Sequence, residues 1–310
     1  MLRSNGFENL QPNPRSVVTV GAFDGVHRGH QQIIGYLVEK AREIGGRSVV
    51  VTFDPHPQEV LRRGGTTVSI LTTLEERARE FERLGVDLLV VVPFTTETAA
   101  TSWRNFLDTL KSQLGLAEIV MGYDHAFGRN REGTPSVIRR AGEAEGFAVT
   151  EIGPLLVDGV TVSSTKIRAA LLEGDVALAA HYLGRPYTLS GTVIRGDGRG
   201  RSIGLPTANI APDHAAKLVP SNGVYCVTVE VEGEEARGMT NIGVRPSFTD
   251  GRIRTIETHL LDFDHDIYHT SITLRFRRFV RSEQTFDGPQ AFLAQLALDR
   301  AACESEASLQ

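Results

Sequence analysis

The sequence is short of cysteine: Cys226 and Cys303 are the only two in 310 residues, too few for a disulfide-stapled scaffold. Cys226 alternates within a strand-like run and Cys303 lies in the polar C-terminal stretch, so both are expected to be free thiols in a reducing compartment. No apolar run approaches the roughly 20 residues that span a bilayer. The N-terminus shows no signal-peptide pattern, and a cytoplasmic protein is expected. An excess of one charge is missing too. Thirty-three Lys and Arg against 38 Asp and Glu leave a net charge of −5, which argues against a surface that coats nucleic acid. Internal repeats and low-complexity tracts are absent. The length suits two domains, each able to bury its own core.

The stretch that organises the chain runs from Val17 to His30. Val17, Val18 and Val20 are β-branched and uninterrupted, which predicts a strand buried on both faces. Gly21 and Gly25 flank Phe23 and Asp24 and permit a tight turn. Ile33, Leu37, Ala41 and Ile44 then recur at helical spacing as far as Gly45-Gly46. His27, Gly29 and His30 therefore stand where strand hands over to helix, a place that attracts anions. Two histidines at this spacing also fit a capping or surface role. No acidic or cysteine neighbour in sequence supports a metal site.

RSVVVTF predicts a second buried strand, and Asp54-Pro55-His56-Pro57 a stiffened loop at its carboxyl end, where open α/β sheets bind ligands. Thr72-Thr73-Leu74-Glu75 reads as a capping box, followed by a helix marked by Leu74, Ala78, Phe81 and Leu84. DLLVVVPF, a helix bearing Trp103, Phe106, Leu107 and Leu110, and the strand AEIVMG complete a doubly wound parallel α/β pattern. Residues 1–15 read as a polar arm. After Met121 a glycine-punctuated loop carries Asp124, His125, Arg129, Asn130 and Arg131, which equally suits a solvated basic loop.

Ser163, Ser164 and Thr165 are N-cap types ahead of a helix bearing Ile167, Leu171 and Leu172. Lys166 and Arg168 lie in its first turn, the wrong end for cations if the dipole alone mattered. A bound polyphosphate resolves the conflict. Helical signal ends near Leu183, and from Tyr187 the periodicity becomes two, predicting an antiparallel β-barrel closed by a helix with Phe292, Leu293, Leu296 and Leu298 apolar. Gly196, Gly198 and Gly200 punctuate a loop with Arg199 and Arg201 as charge partners for phosphate, ahead of Pro206-Thr207-Ala208-Asn209. It is not a Walker A loop, since no Gly-Lys-Ser/Thr ends it. Glu257 falls in an alternating run, and Arg281 and Glu283 end another whose arginines fit one face of a strand.

GAFDGVHRGHQ (21–31) and VSSTKIR (162–168) resemble the two signatures of the nucleotidylyltransferase superfamily. The longer string resembles the FMN adenylyltransferase module of bacterial bifunctional riboflavin kinase/FAD synthetases. Pro206-Thr207-Ala208-Asn209, NIGVRPSF (241–248) and TIETHLLDF (255–263) resemble riboflavin kinase strings, and the resemblance covers about residues 17–300. It implies an adenylyltransferase domain over 1–183 and a kinase barrel over 184–310, which together convert riboflavin to FMN and FMN to FAD with ATP and Mg²⁺. His27, His30 and Arg168 would be catalytic in adenylyl transfer. Gly21, Phe23, Asp24, Gly29, Ser163, Ser164 and Thr165 would meet ATP phosphates there, and Gly196, Gly198, Arg199, Gly200 and Arg201 would do so in the kinase. Asp54, His56, Pro57, Asp124, His125, Arg281 and Glu283 would bind flavin, and Thr207 and Asn209 the metal. Glu257 would be the base that a poorly nucleophilic alcohol needs. The family usually has glycine where His269 follows Tyr268, a difference of turn geometry. Two other readings stay open: a nucleotidylyltransferase acting on another phosphate monoester, and a flavin-binding regulator without turnover. Neither nucleic acid nor membrane is an expected partner.

Overall fold

Runs of valine set the layout of the N-terminal half. The computed structural model describes residues 1–61, 69–196, 206–247, 251–263 and 265–305, and the chain divides into two compact units, Met1–Ser164 and Thr165–Gln310. The first contains β1 (Leu2–Asn5), β2 (Ser16–Val20), α1 (Arg28–Glu43), β3 (Arg47–Asp54), α2 (Pro57–Val60), α3 (Leu74–Arg83), β4 (Leu88–Pro93) and α4 (Thr96–Ala100). It continues with α5 (Trp103–Leu114), β5 (Glu118–Gly122), α6 (Pro135–Glu145), β6 (Ala148–Ile152) and a hairpin of β7 (Leu156–Val157) and β8 (Val160–Thr161).

The six-stranded sheet runs β1-β4-β3-β2-β5-β6 with every neighbour parallel. On one face Val17, Val50, Leu89 and Val120 meet Ile34 and Leu37 of α1 and Phe81 of α3. On the other, Val18, Val49, Val90 and Ile119 meet Leu107 and Leu110 of α5 and Ile138 of α6. This is the doubly wound arrangement expected from the sequence. Residues 1–15 are more than an arm, because β1 pairs with β4, Leu2 opposite Leu88. That edge strand is held by backbone pairing and by the Arg3–Glu75 ion pair (2.7 Å), and carries no apolar alternation to announce it. Strand order reverses at β2, with β3 on one side and β5 on the other. The crevice at the carboxyl ends of β2 and β5 is where such sheets bind ligands.

The second unit takes in α7 (Ser164–Glu173), which starts at the unit boundary, then α8 (Val176–Leu183), β9 (Tyr187–Ile194), β10 (Ala208–Pro212), β11 (Gly223–Val231) and β12 (Glu234–Ser247). β13 (Gly251–Leu260), β14 (Ser271–Arg281) and α9 (Pro289–Ser305) complete it. Its strands close an antiparallel barrel, β10-β13-β12-β11-β14-β9. Alternation turns Tyr187, Leu189, Val193, Tyr225, Val227, Val229, Leu274 and Phe276 inward, all buried. α8 rests on β9 and β14, and the Ser221 amide donates to the Leu171 carbonyl at 2.9 Å, so both helices cluster with the barrel. His269 sits at φ 68°, the left-handed region that the glycine usual there adopts without cost.

The expectation of free thiols is corrected: Cys226 and Cys303 form a disulfide, with Cα atoms 5.0 Å apart. Tyr225 and Val227 point into the barrel, so Cys226 between them points out, and α9 lies over that face beside Met239 and Leu261. Alternation and helix docking thus join residues that are distant in sequence, and the premise for a reducing compartment falls away. The expected leucine face of α9 is only partly used. Leu298 is 65% exposed, while Asp299 and Cys303 are buried and Leu296 packs on the barrel. Reducing the disulfide, or replacing Cys303 with serine, is expected to lower the melting temperature of the second unit. Closing a loop across 77 residues corresponds to about 4.5 kcal/mol on the chain-entropy account. Thermal melts with and without reductant check this, and identical melts would show that the bond adds nothing.

Candidate functional site

The turn after β2 is unusually bent for its residues. Phe23 (φ 50°), Gly25 (φ 86°) and Val26 (φ 39°) all lie in the left-handed region. Only Gly25 is chemically suited to it, and a buried β-branched Val26 there is strained. Gly21 matters through close approach instead, since a Cβ would meet the Phe23 ring at 3.1 Å. Side chains from elsewhere hold this shape. The Asp24 carboxylate accepts from the amides of Leu71 and Thr72, each at 2.9 Å, and the Gly25 amide donates to Thr72 Oγ1 at 2.8 Å. The Ser164 hydroxyl donates to the Asp24 carbonyl at 2.9 Å, tying the second motif to the first. Arg77 of α3, which the sequence reading passed over, is 2% exposed and donates to the carbonyls of Ala22 (2.8 Å) and Phe53 (3.2 Å). The only signal for it in sequence is a cation one turn into an apolar helix face.

His27 is the N-cap of α1, its Nδ1 accepting from the His30 amide at 3.3 Å, so the proton of the neutral ring sits on Nε2. Gly29 leaves room for that ring, because a Cβ would lie 3.3 Å from it. The His27 and His30 rings stack with centroids 3.6 Å apart. Phe23 packs edge-on against His30 (5.2 Å) and His125 (5.8 Å). His30 and His125 are 6.4 Å apart, so the loops after β2 and β5 meet at the point where strand order reverses.

Burial lowers the His27 pKa from 6.5 to about 4, opposed mainly by Asp24. Burial, reinforced by His27 and His125, holds His30 well below its ordinary value, and burial also lowers His125. Three neutral imidazoles therefore line the crevice. Nδ1 of His30 and Nδ1 of His125 are buried with no hydrogen-bond partner among the described residues. Among those residues no three His, Cys, Asp or Glu side chains are arranged to hold a metal ion. The crevice offers uncharged donors and acceptors to a polar ligand.

At the neighbouring strand end, His56 caps α2 by accepting from the Gln58 amide at 3.2 Å, and Pro57 opens the helix after a cis Asp54-Pro55 bond. Asp54 lies 3.6 Å from Arg77. Asp124 is exposed, its carbonyl accepting from Arg131 at 2.6 Å. Ser163 immediately precedes α7, and Thr165 and Arg168 lie in its opening turns, within the second unit.

On the barrel, register brings distant residues together. Asn209 stands opposite Glu257, and Glu257 opposite Asn241, one row across β10, β13 and β12 on the outer face. Asn241 was not singled out by sequence, although its alternation with the inward Thr240 and Ile242 was there to read. The Asn209 amide occupies the space a Cβ on Gly196 would take. Thr207 leads into the strand, and its predecessor Pro206 is held by His259, whose Nδ1–H donates to the Pro206 carbonyl at 2.8 Å. Glu283 accepts from Asn222 at 2.9 Å and, with Gln284 and Thr285, borders a cavity of about 600 Å³. Arg281 is turned to the buried Asp299 of α9 at 2.7 Å. Gly198, Arg199, Gly200 and Arg201 lie outside the described residues.

Two family models match the chain: FAD synthetase over residues 10–166 and riboflavin kinase over residues 183–306. A bifunctional riboflavin kinase/FMN adenylyltransferase of Listeria monocytogenes is 39% identical over 91% of this chain and 90% of its own. The protein of the same description from Bacillus subtilis is 38% identical (92% and 90%), and that from Escherichia coli 37% (95% and 94%). A crystal structure described as a macrolide-efflux protein from Streptococcus pneumoniae superposes with a TM-score of 0.89 at 29% identity, covering 98% of both chains.

The histidine crevice carries a pH signature. His27 titrates at 6.5 when unfolded and about 4 when folded, so the unfolded chain takes the proton first as pH falls. Its contribution to stability is therefore complete above pH 6.5 and lost progressively down to pH 4, about 2 kcal/mol of it by pH 5. His30 and His125 act in the same direction. Urea unfolding of the first unit is expected to shift to lower midpoint between pH 7 and 5, and His27→Gln to flatten that slope. A midpoint constant across this window would place the rings in water.

Proposed function

Because the chain belongs to the bifunctional riboflavin kinase/FMN adenylyltransferase family and carries both activities, we propose that the histidine crevice performs adenylyl transfer and the Asn209–Glu257–Asn241 row the kinase step. In the crevice the FMN phosphate attacks the α-phosphate of ATP and pyrophosphate departs. That nucleophile is already an anion and needs no base, so the residues position it and stabilise charge on the reacting oxygens. His27 offers an Nε2–H, and the rings of His30 and His125 stand behind it. The observation that carries this reading is the pair of buried, unpartnered Nδ1 atoms. Each such atom costs roughly 1–3 kcal/mol, which a bound polar ligand offsets.

Gly21, Phe23 and Gly29 keep the phosphate path clear and Asp24 holds the turn that lines it. Ser163, Ser164, Thr165 and Arg168 are assigned to the triphosphate, and Asp54, His56, Pro57, Asp124 and His125 to FMN. In the barrel, Glu257 accepts the proton of the ribityl 5′-hydroxyl as that oxygen attacks the γ-phosphate, the bond to the β-phosphate breaks and ADP departs. The hydroxyl of Thr207 and the amide oxygen of Asn209 are hard, neutral donors of the kind Mg²⁺ takes together with phosphate oxygens, and packing against Gly196 fixes the Asn209 amide. Bound with ATP, the ion would offset charge on the phosphates. Gly198, Arg199, Gly200 and Arg201 are assigned to the same phosphates, and Glu283 with its neighbour Arg281 to riboflavin. The site is placed in the cytoplasm, where ATP for both steps is made; no described helix is long and apolar enough to cross a membrane.

The two assignments separate cleanly in one molecule. His30→Ala is expected to slow FAD formation from FMN by about a hundred- to a thousandfold while FMN formation continues. Glu257→Gln is expected to do the converse, with added FMN still adenylylated. Assays of each product decide: wild-type adenylylation in the first variant, or wild-type phosphorylation in the second, removes that residue from its step. The domain division is proposed at 183/184, where Gly184 (φ 74°) ends α8. A fragment of residues 184–310 is expected to fold and phosphorylate riboflavin, melting below one of residues 165–310 that retains α8 against β9 and β14. Folding of the longer fragment alone would move the boundary.

A further inference from the structure

We propose that Arg77 is a positioning residue for adenylyl transfer: from α3 it grips the peptide after Ala22 and, reciprocally with Asp24, clamps the bent turn that aims His27 and His30. Among the described residues assigned to ATP or FMN, Arg77 reaches the Asp54 carboxylate by side-chain contact and the turn after β2 through a backbone carbonyl. Yet it is among the largest fully buried side chains, and its closest ion pair among the described residues is a loose one, to Asp54 at 3.6 Å. Burying a guanidinium without a tight counter-ion is costly, and packing alone would be better served by an apolar side chain.

What the arginine does with its fork explains its presence. Nη1 donates to the Ala22 carbonyl (2.8 Å), Thr52 Oγ1 (2.9 Å) and the Phe53 carbonyl (3.2 Å), and Nη2 donates to Phe53 as well (3.2 Å). One planar group thus joins the ends of β2 and β3, the two strands whose following loops build the ligand side of the sheet. The clamp runs in the other direction too. The Asp24 carboxylate takes the amides of Leu71 and Thr72 at the approach to α3, and Thr73 with Glu76 closes a capping box there.

The peptide between Ala22 and Phe23 is trans, so its carbonyl and N–H point opposite ways. With the carbonyl held by Arg77, the Phe23 N–H is directed away from the arginine. Phe23, at φ 50°, lays its ring edge-on against His30 and His125. Rotation of that one peptide would move the ring, then both imidazoles. Left-handed Phe23 and Val26 persist only if the surroundings over-determine them. Arg77 on one side of Asp24 and Thr72 on the other do so.

The inference rests on the histidine crevice being the adenylyl-transfer site, which His30→Ala tests separately. Arg77→Met and Arg77→Lys are compared in the full-length protein, with FAD formation, FMN formation and thermal melting measured on each, and kcat referred to the folded fraction. Arg77→Lys keeps the charge but loses the fork. It is expected to melt as the wild type, to lose about tenfold in kcat for FAD formation and to leave KM for ATP nearly unchanged. Arg77→Met is expected to lose about a hundredfold, the scale of a misplaced reacting group. FMN formation should stay within twofold in both. A folded Arg77→Lys protein with wild-type kcat for FAD overturns the proposal. So does unfolding of the first unit in both variants, which would make Arg77 a stability residue only. Normal Arg77 variants beside an inactive His30→Ala would overturn the clamp and leave the site assignment standing.

Discussion

Burial of β2 on both faces is the constraint from which the first unit follows. A strand covered on both sides takes parallel partners, and β3 and β5 flank it with helices above and below. Because the chain continues to β3 on one side and returns to β5 on the other, the loops that follow β2 and β5 part and leave a crevice. Three imidazoles gather there, His27 stacked on His30 and His125 beside them from the loop after β5.

On the proposed assignment the two sites differ as their nucleophiles differ. A phosphate monoester arrives charged, and the crevice meets it with rings kept neutral by burial, able to donate without adding a charge that would itself need solvation. An alcohol arrives with a proton, and the barrel row proposed to receive it holds a carboxylate, Glu257, in register with Asn209 and Asn241. The sheet builds its site from loops at strand ends. The closed barrel has its interior filled by Tyr187, Tyr225 and Phe276 and uses its outer face instead.

That outer face is shared. Moving along it from the Asn209–Glu257–Asn241 row, the next outward residues are His259, Met239 and Cys226, and here α9 takes over as cover. Arg281 with Asp299, and Cys226 with Cys303, fasten the helix beside that row. A helix whose leucines are partly exposed is held by an ion pair and a covalent bond.

Much of this was legible in the amino-acid order, and the reason is locality. Buried strands, capped helices, the change of period near Tyr187 and the paired motifs are all encoded within a dozen neighbouring residues, so the fold class could be read directly and His27, His30, Thr207, Asn209 and Glu257 could be nominated as candidates. What stayed hidden depends on register and on pairs distant in the chain. β1 is held by backbone pairing with β4 and by Arg3 on Glu75, neither of which an apolar pattern announces. Arg77 acquires its role only when α3 lies under two strand ends, and Asn241 only when β12 aligns with β13. Strand pairing and helix docking bring Cys226 to Cys303 and turn Arg281 toward Asp299, two contacts for which spacing along the chain carries no signal.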